Sequence, residues 1–152
     1  MKKILIGLVV LFAGIQFVPV ERTNPPVTQA IDAPPAVQAI LDRSCADCHS
    51  NQTRWPWYSR VAPASWLVAK DVREGREKLN FSEFGDYPER RQRHKVSEVL
   101  EEVEHGEMPL KPYLLIHRDA KVSDAEIETL RAWVAVAGEA PRGEEEGESH
   151  ES

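Results

Sequence analysis

Cysteine and methionine are scarce in this chain: there are two cysteines, at 45 and 48, and two methionines, Met108 and the initiator. A disulfide between the two cysteines would close too short a loop to contribute much stability. With a single internal methionine, core gap-filling is not this chain's habit, and ordinary packing is the alternative to a special role for Met108. Each of these residues therefore calls for a reason of its own. No segment alternates apolar and polar residues as a half-buried strand does, which argues against a sheet. No basic stripe suited to a phosphate backbone occurs, so nucleic acid is not an expected partner. There is no internal repeat, and no general acid/base pair or nucleophile constellation that would mark a side-chain enzyme.

What is present is an ordinary globular balance, 41% hydrophobic and 29% charged, which rules out a wholly disordered chain. Over the 152 residues the net charge is −6, but six Glu and one Arg between Glu139 and Ser152 supply −5 of it. That tail has no apolar residue beyond Ala140 and is expected to be disordered over 139–152. At the other end, Lys2 and Lys3 precede an apolar run from Ile4 to Val18. The pattern is that of an export signal over 1–20. Bulky residues stand where a cleavage site would need small ones, and Ile4 to Val20 just reaches the about 17–25 residues of a span. The expectation is an uncleaved signal anchor that ties the chain to the periplasmic side of the cytoplasmic membrane. The alternative is a removed signal peptide and a periplasmic product. Residues 21–33, rich in proline together with Pro34 and Pro35, suit a stiff linker holding a domain off the membrane.

From 34 to 138 the periodicity is helical. One helix is expected over about Pro34 to Ala46, capped by Asp32 or Ala33, with Val37, Ile40 and Leu41 on one face. A second runs from about Pro63 to Leu79. A third begins near Pro88, aligns Val96, Val99, Leu100 and Val103, and is stopped by Gly106. The fourth opens on a Ser123/Glu126 capping box, buries Ile127, Leu130 and Trp133, and ends at Gly138. The fold class is all-α. A domain of this size has a modest core of its own, and a bound prosthetic group would supply much of the missing apolar interior.

The two cysteines fall in Cys45-Ala46-Asp47-Cys48-His49. C-x-x-C-H is the attachment sequence of haem c: two thiols add to the vinyl groups along one ring edge, and the following imidazole reaches the iron. One covalent haem c, held by Cys45, Cys48 and His49, is the expected cofactor. Three other readings stand beside it. A thioredoxin-like redox pair expects a βαβ context that is missing, half a zinc site lacks a second cysteine pair, and the short disulfide has little to offer. The His49 ring needs a second-shell acceptor, and a carbonyl in Pro56–Pro63 is the expected one.

For the sixth iron position the candidates are His94, His105, Met108, His117 and His150. Met108, in Gly106-Glu107-Met108-Pro109 after a helix end, is the best placed, and a thioether would raise the reduction potential. His117 is the next choice. Trp55, Trp57, Tyr58 and Trp66 either wall the haem edge or form a plain aromatic core. In the first case Arg54 and Arg60 would reach the propionates. Arg90, Arg91, Arg93 and Lys95 form either a docking patch for an acidic redox partner or a solvated face.

Ser44 to Asn51, Thr53, Trp55-Pro56-Trp57-Tyr58-Ser59, Ala62-Pro63-Ala64-Ser65-Trp66-Leu67, Asp71-Val72, Glu74-Gly75-Arg76 and Leu79-Asn80-Phe81-Ser82 together resemble the haem-binding-domain family of exported bacterial proteins. That family is broadly similar to the class I cytochromes c. The resemblance spans about Ala36 to Ala137. It implies covalent haem at Cys45 and Cys48, axial His49, and a Met-Pro ligand loop at Gly106 to Pro109. It also implies a C-terminal helix that crosses the N-terminal one near Leu130 and Trp133. The tryptophan-rich stretch departs from the class I pattern. The function expected is single-electron transfer by a monohaem c-type cytochrome, with unidentified redox partner proteins and no enzyme activity. The alternative is a haem-based sensor or enzyme whose open iron site takes a small ligand.

Overall fold

Helical stripes of apolar residues, each closed by an identifiable stop, decide the architecture. The computed structural model describes residues 1–138. The tail 139–152, expected to be disordered, lies outside the described residues. In chain order the helices are α1 (Lys2–Ile15), α2 (Pro35–Ser44), α3 (Ala46–His49), α4 (Ala64–Lys78), α5 (Glu89–Glu104), α6 (Lys111–Leu114) and α7 (Asp124–Gly138). Short 3-10 turns lie at Trp57–Arg60, Phe84–Asp86 and Arg118–Ala120, and no strand occurs among the described residues. The all-α expectation holds, and the four long helices of the domain lie where periodicity put them.

Their ends follow from local chemistry. α2 starts at Pro35 because a residue before proline is held extended, as Pro34 is at φ −53° and ψ 146°. Neither Asp32 nor Ala33 is the cap, and Pro34 has no side chain with which to accept an N–H. α5 ends in a Schellman motif. Gly106 takes φ +69°, its N–H reaches Val103 O at 3.1 Å, and the Glu107 N–H reaches Glu102 O at 3.0 Å. The Met108 N–H also bonds Glu102 O, so the chain leaving α5 is folded back at once. α7 opens on the expected capping box: the Ser123 N–H donates to Glu126 Oε2 at 2.8 Å, and the Glu126 N–H to Ser123 Oγ at 3.4 Å.

α7 packs along α5 and against α2. The centre of the core is Leu41 and Leu130, each 1% exposed, with Val37, Val96 and Val103 around them. Trp133, Val134 and Leu100 pack against this cluster as half-buried neighbours. Arg43 of α2 closes the α2–α7 contact by donating to Glu126 Oε1 at 2.6 Å.

Two expectations about the N-terminal region need correction. Residues 21–33 do not stand off as a spacer. The Thr28 N–H bonds Ser82 O at 3.0 Å, the Ile31 N–H bonds Phe81 O at 2.8 Å, and Ile31 joins the core. The expected membrane anchor is overturned as well. α1 has 14 residues, and no helix among the described residues is long and apolar enough to cross a membrane. At 1.5 Å per residue α1 reaches about 21 Å, against about 30 Å of hydrocarbon. The helix ends at Gln16. Its side chain accepts the Ala62 N–H at 2.9 Å and donates to Ala62 O at 3.2 Å, tying the end of α1 to the domain. An anchored location and a membrane partner are therefore not supported.

The Glu126 contacts generate a prediction. The Arg43 guanidinium and the Ser123 N–H hold its carboxyl at about 2. That lies below the ordinary value of about 4.3, so the link stabilises the fold above the ordinary value and is lost as pH falls through the lower one. Glu126→Gln should lower stability at neutral pH by on the order of 1 kcal/mol, given solvent screening at this partly exposed pair. In thermal melts the gap from the parent should shrink as the pH is lowered. A gap that stays constant would contradict the assignment.

Candidate functional site

Cys45 ends α2, and the next four residues form the single turn of α3, so the sequence 45–49 is wound tightly. The Cys48 and His49 N–H groups both bond Cys45 O, at 3.2 and 3.0 Å. This winding turns both thiols and the imidazole to one cavity of about 260 Å³. Three further segments complete its lining: α4 through Val68, Val72 and Gly75; the loop Met108-Pro109-Leu110; and Tyr58 with Tyr113 and His117.

The His49 ring is held from behind. Its Nδ1 lies 3.0 Å from Gly75 O and 3.1 Å from Leu79 O, so Nδ1 carries the proton and donates to both. Nε2 is left as the lone-pair nitrogen, the form in which histidine binds a metal. Burial lowers the affinity of the ring for a second proton and keeps it neutral. The acceptors are at the end of α4, not in Pro56–Pro63 as the sequence suggested. Gly75 O already accepts the Leu79 N–H at 2.9 Å and takes the imidazole as a second donor, while Leu79 O stands just past the helix end. Gly75 is what lets α4 come so close: a Cβ there would stand 2.7 Å from Cys48 O.

The thiols are unpaired. Burial, with the neighbouring Cys48, pushes Cys45 up to about 12. Burial, with Asp71 and Asp47, pushes Cys48 up to about 11. A dithiol redox couple relies on a lowered value, which burial opposes here. Among the described residues no group of three or more His, Cys, Asp or Glu is arranged to hold a metal ion. The residues fit haem c better than either: two protonated thiols, a neutral imidazole with one nitrogen committed, and an apolar cavity.

The candidates from sequence divide. Cys45, Cys48, His49, Met108, Tyr58, Arg54 and His117 all line this cavity. Trp55 and Trp57 do not. Trp55 donates its indole N–H to Asn24 Oδ1 at 3.1 Å and faces a second cleft, while Trp57 is 77% exposed. Arg54 pairs with Asp47 at 3.0 Å, and Arg60 is exposed away from the lining. His94 pairs with Glu98 on the surface, His105 is exposed at the end of α5, and His150 lies outside the described residues. Of the basic cluster, Arg93 pairs with Glu89, Lys95 with Glu98, and Arg91 covers the Tyr87 ring at 4.0 Å. Sequence reasoning passed over Asp47 and Tyr113. The Tyr113 Oη donates to Asp47 Oδ2 at 2.8 Å across 66 residues, a contact with no local signature.

A family model described as a haem-binding domain matches residues 10–136, most of the chain. The chain belongs to that family. No curated protein matches it, and no solved structure does either. The Cys45, Cys48 and His49 spacing of this haem-binding domain matches the covalent haem c motif, with one haem c as cofactor. The match includes the C-terminal end of α1 and all of 21–33, in keeping with the contacts those segments make with the domain.

Gly75 gives this haem-binding domain a sensitive point. Gly75→Ala should force α4 away from Cys48 and cost about 1–3 kcal/mol as an overpacking substitution. Because Gly75 O also holds His49, covalent haem yield should fall together with the melting temperature. A variant with the yield and melting temperature of the parent would show that the approach at Gly75 is not limiting.

Proposed function

We propose that this chain is a monohaem c-type cytochrome that transfers single electrons, with Cys45 and Cys48 as attachment thiols, His49 as the proximal ligand and Met108 as the distal one. The observation that carries the proposal is the His49 imidazole: half-buried and committed at Nδ1 to two carbonyls, on a cavity that both cysteines and Met108 also line. Bound haem would supply the one-electron couple. The work of the chain is to present thiols, hold the imidazole in one tautomer and exclude water. Val68, Val72 and Leu110 give the cavity its apolar walls. A thioether opposite an imidazole favours the ferrous state and fills the coordination sphere, which suits a carrier better than a ligand-binding site.

Met108 is preferred to His117 for a structural reason. The His117 Nε2 is 2.7 Å from Tyr58 Oη, and its ring stacks on Tyr113 at 4.3 Å. Ligation by His117 would have to break both contacts, whereas the Met108 sulfur has no such commitment.

Met108→Ala tests the assignment. The variant should keep its haem through denaturation and acidic organic extraction. It should also lose the sulfur-to-iron charge-transfer band, fall in reduction potential and bind carbon monoxide readily. A parent that already lacks the band and binds carbon monoxide would favour the open-site reading. A variant with the spectrum and potential of the parent would remove Met108 from the site.

A further inference from the structure

We propose that the hydrogen bond from Tyr113 to Asp47 is a latch that holds the Met108 segment against the haem pocket, making both residues positioning residues for the sixth ligand. The inference rests on the assignment of Met108 as that ligand. The reasoning begins with burial. Between Met108 and His117 no residue is fully buried, and Lys111, Pro112, Leu115 and Ile116 are exposed. Beyond Met108, which packs against the core cluster, such a segment has little apolar contact to fix it and belongs to the part of a fold that opens first. Its side-chain ties are polar: the Tyr113 phenol on Asp47 at 2.8 Å, and the His117 ring on Tyr58 Oη at 2.7 Å.

The Asp47 tie is the stronger of the two, because its acceptor is a carboxylate, whereas the other joins a phenol to an imidazole. Asp47 is 17% exposed, and its other oxygen is occupied by Arg54, through both the backbone N–H at 3.1 Å and Nε at 3.0 Å. The carboxylate is thus fixed before Tyr113 reaches it. Burial and the Asp47 carboxylate together push the Tyr113 phenol above its ordinary range, which keeps it a donor. Asp47 also lies between the two cysteines of the attachment motif. The latch therefore joins the chain that bears Met108 to the turn that bears His49, with Met108 five residues from the point of attachment.

The test uses the full-length protein carrying its haem. Tyr113→Phe keeps the ring stacked on His117 and removes only the donor. It should weaken the sulfur-to-iron band of the ferric protein and speed carbon monoxide binding to the ferrous protein by on the order of tenfold, the scale of one charge-assisted hydrogen bond. Asp47→Asn retains an acceptor oxygen but loses the charge assistance, and should fall between the parent and Tyr113→Phe in both. The Tyr113→Phe/Asp47→Asn double variant should bind carbon monoxide no faster than Tyr113→Phe alone. A residue that merely stabilised the fold would lower the melting temperature without changing the band or the rate. If Met108→Ala loses the band while Tyr113→Phe keeps the band and rate of the parent, the latch is wrong and the ligand assignment stands. If Met108→Ala itself leaves the spectrum unchanged, the latch falls with its premise. Should Tyr113→Phe mature poorly, backbone amide exchange over 108–117 decides on the protein that does mature: exchange no faster than in the parent overturns the latch.

Discussion

The Nδ1 proton of His49, shared between the carbonyls of Gly75 and Leu79, ties the chemistry of the site to the packing of the domain. The imidazole needs an acceptor to hold one tautomer, and the end of α4 offers a spare lone pair on Gly75 O, which already accepts the Leu79 N–H, with Leu79 O just beyond. The contact forms only if α4 lies against the turn at Cys48, closer than any side chain at 75 would permit. From that approach follow the position of Val72 on the cavity and the return of the chain at Phe81, whose N–H bonds His49 O at 2.7 Å. A change at this contact would therefore be felt at the ring, the cavity wall and the core together.

The stretch after the attachment motif is held by polar groups taken out of water. Arg76 of α4 donates to Ser50 O, Thr23 O, Asn24 Oδ1 and Thr53 Oγ1, four neutral acceptors. Asn80 donates to Asn51 Oδ1 at 2.9 Å, and Asn51 in turn donates to Pro26 O. Buried polar groups are tolerated only when their hydrogen bonds are complete, and here completion requires the 21–33 segment. That segment has the composition of a linker and supplies acceptors that the α4 side of the domain needs. Proline content alone could not reveal this, because a free spacer and a docked extended segment have the same composition.

The same distinction separates what was legible in the sequence from what was not. The stripes of α5 and α7, the Gly106 stop and the Ser123/Glu126 box were readable because each is written within one or two helical turns. The attachment motif was readable for the same reason. Four-residue helices such as α3 and α6 carry no period, and the contacts of Asp47 with Tyr113 and of Gln16 with Ala62 join residues far apart in the chain. The sequence points to the nearby Pro56–Pro63 loop for the His49 acceptor, but the end of α4, 26 residues on, supplies it through Gly75 O and Leu79 O. The tryptophans misled for a related reason. Composition placed them near the haem motif, whereas the extended backbone around Pro56 directs Trp55 to Asn24 and leaves Trp57 in solvent.

The two sides of the pocket are built to different standards of rigidity. Around His49 the restraints are backbone carbonyls of a long helix, a glycine approach and the core residue Phe81, none of which can move without disturbing the fold. Around Met108 the restraints are the Schellman turn at Gly106 and side-chain hydrogen bonds from a half-exposed segment. Local opening should therefore be far more frequent on the Met108 side, since it costs a few polar contacts and exposes no buried residue. On the proposed ligation, an imidazole held from the rigid side and a thioether presented from the yielding one would place any exchange of ligand at the sulfur and leave the covalent and proximal attachments intact.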